Sequence, residues 1–108
     1  MREVLPARRA CETVTVEVDG QRYTVAVGRY DDGRAAEVFV SATRQGSALD
    51  VLLADASVVI SLALKNGLAA ADLAKSVARL PIGGLFSRAT APASPIGAVL
   101  DLLARPWP

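Results

Sequence analysis

A chain of 108 residues is long enough for one domain and too short for two. Hydrophobic residues make up 52% of it and aromatic residues 5%, which excludes global disorder and leaves Val, Leu, Ile and Ala to build the core. A net charge of +1 argues against a general electrostatic grip on nucleic acid, and the absence of histidine removes the commonest general base and metal ligand.

The only cysteine, Cys11, allows neither an intrachain disulfide nor a thiolate metal cluster, and the opening residues carry no apolar signal stretch. Both features point to the cytoplasm. The most hydrophobic run, residues 56–64, is far shorter than the roughly 20 residues that cross a bilayer, so no membrane is expected.

Residues 1–12 read as a basic arm, with Arg2, Arg8 and Arg9 around Leu5 and Pro6. Residues 13–19 alternate, Val14, Val16 and Val18 on one face and Thr13, Thr15 and Glu17 on the other. Residues 22–28 alternate again through Tyr23, Val25 and Val27. Asp19-Gly20 between them is a two-residue hairpin signal. It predicts Val18 opposite Gln21, Val16 opposite Tyr23, Val14 opposite Val25, and Glu17 beside Arg22 on the polar face. A second turn, residues 30–34, leads to a third strand at 36–41, with Val38 and Val40 in the core and Phe39 on the open face.

Ser47 is a helix N-cap and Gly67 a stop. The helix between them, roughly five turns by its rise, is apolar nearly all round and is expected to be buried on more than one side. Residues 70–80 predict a second helix with Leu73, Val77 and Leu80 on one face, ended by Pro81. Residues 82–93, with Gly83-Gly84 and Pro92, have the composition of a mobile loop. Ser94-Pro95 opens a third helix with Ile96, Val99, Leu100 and Leu103 on one face.

Three strands followed by three helices predict an α+β fold: a three-stranded antiparallel sheet of two hairpins, with the helices packed on one face. Residues 13–105 form the single domain, residues 1–12 its arm and residues 106–108 its tail.

Candidate sites are few. Asp31, Asp32, Arg34 and Glu37 form the densest charge cluster. It reads as a solvated hairpin tip with Arg34 pairing Glu37, or as a recognition turn or weak cation site; the loop alone is too short to supply a calcium shell. Asp50 and Asp55 lie five residues apart on the long helix and share a face poorly for acid–base work. Ser57 and Ser61, with Ala54 in line, form a close-packing seam, either against a second subunit or against the chain's own sheet. Arg2, Arg8 and Arg9 could touch phosphates, although such an arm more often docks. Cys11 reads as an ordinary thiol.

Four stretches in order carry a resemblance. Tyr30-Asp31-Asp32-Gly33-Arg34 with Glu37-Val38-Phe39-Val40, then Gln45-Gly46-Ser47, then Ser61-Leu62-Ala63-Leu64-Lys65-Asn66-Gly67-Leu68, and finally Ser94-Pro95-Ile96-Gly97-Ala98-Val99-Leu100-Asp101 resemble the TSCPD domain. That domain lies near the C-terminus of adenosylcobalamin-dependent ribonucleotide reductases. Leu5-Pro6-Ala7-Arg8-Arg9 is similar to the arm of its short stand-alone relatives. The matches run over most of residues 5–103.

The resemblance implies an accessory domain, separate from the barrel that holds cobalamin, the radical cysteine and the nucleotide. No position here matches a catalytic or redox residue of those enzymes, or their terminal cysteine pair. No catalytic residue, cofactor or metal ligand is therefore carried over. The expected function is a non-catalytic interaction module, homodimeric through Ala54, Ser57 and Ser61, whose partner is a ribonucleotide reductase large subunit or another protein. Its partner surface is expected at Arg8, Arg9, Asp31, Asp32, Arg34, Glu37 and Phe39. The alternatives are a separate subunit contributing to ribonucleotide reduction, and a small regulatory protein touching nucleic acid through its arm.

Overall fold

Two valine-rich segments on either side of Asp19-Gly20 start the fold. In the computed structural model, which describes residues 10–105, β1 (Ala10–Val18) and β2 (Gln21–Arg29) pair antiparallel. Asp19 and Gly20 have φ of 52° and 77°, the positive pair that a two-residue hairpin turn needs. The register is the one expected: Val18 opposite Gln21, Val16 opposite Tyr23, Val14 opposite Val25, Glu17 opposite Arg22. β3 (Ala35–Ala42) pairs with β2, giving a sheet of order β1-β2-β3.

The turn also fixes which backbone groups face outward. Val18 and Gln21 close a two-residue loop, so they exchange backbone hydrogen bonds. Alternation then directs the peptide groups of residues 10, 12, 14, 16 and 18 toward β2, and those of Cys11, Thr13, Thr15 and Glu17 away from it. Carried across β2, the same alternation points residues 38, 40 and 42 of β3 outward.

Helix α1 (Ala48–Lys65) lies along that outward edge of β3. The Val38 N–H donates to Ser61 Oγ at 3.0 Å, and the Ser61 hydroxyl donates back to the Val38 carbonyl at 3.1 Å. The Val40 N–H donates to Ser57 Oγ at 2.9 Å, and the Ala42 N–H to Asp50 Oδ1 at 2.9 Å. Residues 50, 57 and 61 share one helix face, because their separations are close to whole turns. The polar breaks in an apolar helix thus take up the unpaired donors of an edge strand.

Both ends of α1 follow the sequence. Ser47 Oγ accepts the Asp50 N–H at 3.2 Å. At the other end Gly67 has φ of 93°, and the Gly67 and Leu68 N–H groups donate to the Leu64 and Ala63 carbonyls at 3.1 and 3.0 Å, a Schellman closure. Leu53, Ile60 and Leu64 of α1 pack with Val99, Leu100 and Leu103 of the last helix over Tyr23, Val25, Val27, Val38 and Val40.

The second helix departs from expectation. α2 (Ala70–Ser76) stops four residues before Leu80, and β4 (Arg79–Pro81), at the end of the expected helix, pairs antiparallel with β5 (Thr90–Pro92), inside the segment expected to be a loop. Two local features weaken a helical course through this segment. The Ser76 hydroxyl donates back to the Asp72 carbonyl at 2.8 Å, and Pro81 disfavours helical backbone at Leu80. Arg79 then ties the ribbon down: Nη1 and Nη2 reach the two Asp101 carboxylate oxygens at 2.9 and 3.3 Å, and Nε reaches Thr90 Oγ1 at 2.7 Å. α3 (Pro95–Ala104) begins on the Ser94 cap, whose Oγ accepts the Gly97 N–H at 3.0 Å. Among the described residues, no helix is long and apolar enough to cross a membrane.

Ser57 is 1% exposed. Replacing Ser57 with Ala strands the buried Val40 N–H and is expected to lower unfolding free energy by about 1–3 kcal/mol. Urea denaturation measures this, and an unchanged midpoint would contradict the role given to the serine.

Candidate interaction site

The acidic turn between β2 and β3 satisfies itself. Asp32 Oδ1 accepts the Arg34 N–H at 3.0 Å and Oδ2 accepts Arg34 Nε at 2.6 Å, while the Arg34 guanidinium lies 4.8 Å from the Tyr30 ring centroid. The Arg34 backbone bond, followed by the bond from its side chain, holds the Asp32 carboxyl below its ordinary range. Glu37 pairs with Lys65 of α1 at 3.1 Å, a partner that the sequence reading did not name. Behind the turn, buried Arg29 donates to the Gly33 carbonyl at 2.9 Å and reaches Glu12 of β1 at 3.3 Å. Asp31, Asp32 and Arg34 line an open cleft of about 550 Å³ with Leu68, Leu103 and Arg105.

Phe39 and Glu37 belong to a different place. Phe39, 54% exposed on the open face of the sheet, lines a shallow groove of about 440 Å³ with Ala26, Val58 and Leu62. Glu37 and Lys65 also line it. The groove exists because α1 stands beside β3 and raises a wall over the sheet's open face. The expected partner surface is therefore divided between the cleft and the groove, and Arg8 and Arg9 lie outside the described residues.

The seam of Ala54, Ser57 and Ser61 is turned inward. Ser57 and Ser61 bond to β3 of the same chain, and Ala54 is half-buried. The side of α1 that faces solvent carries Val51, Leu52, Val58, Val59 and Leu62 instead, with Asp55 among them. Sequence reading also missed the ribbon tip, where Leu85 and Phe86 are 91% and 93% exposed. Two adjacent large apolar residues inside a Gly-rich segment were the available signal.

Little chemistry can be done with these groups. Asp50 is committed to the Ala42 and Gly46 N–H groups, at 2.9 Å each, and the Gly46 bond, then the Ala42 bond, lowers its carboxyl below the ordinary value. Asp55 lies on the solvent side of the helix, apart from it. Among the described residues, no cluster of three or more His, Cys, Asp or Glu side chains could hold a metal ion.

Over 66 residues, 61% of this chain, the sequence is 35% identical to a vitamin B12-dependent ribonucleotide reductase of Bradyrhizobium diazoefficiens. The same length is 33% identical to the vitamin B12-dependent ribonucleotide reductase of Agrobacterium fabrum. Part of the chain is related to these reductases. The matched region spans 5% of the length of each relative. No protein-family model and no solved structure matches the chain.

The Asp50 carboxylate gives a pH signature. Its pKa is lowered in the fold, so its stabilisation is complete above the ordinary value of 3.8 and is lost as pH falls through the lower folded value. The stability lost between about pH 5 and about pH 2 should shrink in an Asp50→Asn variant. Parallel acid limbs for the two proteins in thermal unfolding would contradict the assignment.

Proposed function

We propose that the chain is a non-catalytic accessory module of the TSCPD type, homodimeric and cytoplasmic, which binds a ribonucleotide reductase large subunit. The observation that carries this reading is the groove at Phe39, Val58 and Leu62. It is an exposed apolar surface joined to a sheet whose nearby charged groups are engaged in structural pairs. An exposed aromatic flanked by aliphatic side chains and rimmed by an ion pair has the anatomy of a protein contact, an apolar centre with a polar edge. The relationship to vitamin B12-dependent ribonucleotide reductases supports the choice of partner. The regions of those proteins that lie outside the match are the natural complement of a module that carries no acid–base pair of its own.

The test uses a purified adenosylcobalamin-dependent reductase subunit that lacks this region. Wild-type chain is expected to bind it. Phe39→Asp, on a half-open face where the fold tolerates charge, is expected to weaken binding roughly tenfold or more. Equal affinity of the two proteins would overturn the groove as the contact. Deoxynucleotide formation by the purified chain alone would overturn its non-catalytic character.

A further inference from the structure

The two edges of the sheet are treated differently. α1 closes the β3 edge with three side chains that take the outward N–H groups of Val38, Val40 and Ala42. At the β1 edge, the outward peptide groups belong to Cys11, Thr13, Thr15 and Glu17. Among the described residues these backbone groups have no hydrogen-bond partner. β1 is also lightly protected, since its two charges, Glu12 and Glu17, are drawn to Arg29 and Arg22 of β2. Its sequence ACETVTVEV contains no proline and no lysine, and its register with β2 has no bulge. On the core side Val14, Val16 and Val18 are only half covered.

We propose that β1 pairs antiparallel with β1 of a second copy of this chain, and that this pairing is the dimer interface. The inference rests on the homodimer in the reading above and names its surface. Strand parity selects the register. With the two-fold axis at Val14, Cys11 faces Glu17 of the other copy and Thr13 faces Thr15, so all four outward residues of each strand meet outward residues. Sliding by two residues in either direction drops one of these pairs from the strand. No like charges are opposed in the chosen register, since Glu17 meets Cys11 and Glu12 meets Val16, and the Thr13–Thr15 pair is a favourable cross-strand neighbour. Val14 of each copy meets Val14 of the other on the core side, covering apolar surface that one copy leaves half open.

The edge asymmetry also selects a second copy over an open-ended assembly. Joining two β1 strands gives a continuous sheet of order β3-β2-β1-β1-β2-β3, with each outer edge already closed by an α1 helix. Neither outer edge of that six-stranded sheet is left for a further strand to extend, and a two-fold arrangement of this kind is closed. The solvent side of α1 is the weaker candidate for self-association, because two copies of that face would enclose Asp55 among aliphatic side chains, and an unpaired carboxylate is costly to desolvate.

The experiment combines mass and cross-linking. Light scattering of wild-type chain should give twice the monomer mass. Thr15→Pro removes one outward donor at an edge position where the fold tolerates proline, and should weaken self-association at least tenfold while leaving the far-UV circular dichroism unchanged. In a Cys11→Ser background, Val14→Cys should form an interchain disulfide on mild oxidation. A non-hydrogen-bonded antiparallel pair brings Cα atoms to about 4.5 Å, within disulfide range. Val18→Cys in the same background should not cross-link. A monomer for wild-type chain at high micromolar concentration overturns both the homodimer and this interface. A dimer that ignores Thr15→Pro, with Val14→Cys failing to cross-link, overturns the interface and leaves the homodimer standing. If Thr15→Pro unfolds the chain, cross-linking decides alone: a disulfide dimer supports the interface, and its absence overturns it.

Discussion

A three-stranded sheet leaves two rows of backbone hydrogen-bonding groups unpaired, and the arrangement of this molecule follows from how it meets that constraint. The three outward N–H groups of β3 are taken by Asp50, Ser57 and Ser61. An ordinary amphipathic helix would lie over a sheet face and contribute only apolar contact. α1 does this with Leu53, Ile60 and Leu64 while its small polar residues stand against the strand edge. Serine suits the position because its hydroxyl both accepts from an amide and donates to a carbonyl, as Ser61 does with Val38.

The position of α1 in turn creates the surface available for binding. Standing at the strand edge, the helix rises above the open face of the sheet and makes a wall for the groove that holds Phe39. It also sends Lys65 to Glu37, which places an ion pair at the groove's rim. A helix set fully over the opposite face would leave Phe39 on a flat sheet.

Much of this architecture is legible in the sequence where the determinants are local. Asp19-Gly20 dictates a turn, the turn dictates the register, and valine alternation dictates the buried face. Ser47 and Gly67 bound α1 for equally local reasons. What sequence reading missed depended on contacts distant in the chain. Leu73, Val77 and Leu80 have helical spacing, yet Arg79 is drawn into a ribbon by Thr90 and Asp101. Ser57 and Ser61 were legible as a seam, but whether its other side was a second subunit or β3 turned on where the helix lies. The Glu37–Lys65 pairing was missed for the same reason, since Lys65 is at the far end of α1.

The central claim is that one sheet edge is closed from within and the other is open for pairing. Amide hydrogen exchange read residue by residue at two protein concentrations tests it most directly. The account predicts that the amides of Val38, Val40 and Ala42 exchange as slowly as core amides at both concentrations. It predicts that those of Cys11, Thr13, Thr15 and Glu17 exchange fast in dilute solution and slow as concentration rises. Fast, concentration-independent exchange at Val38 and Val40 would contradict the closed edge, and fast exchange of the β1 amides at every concentration would contradict the open one's pairing.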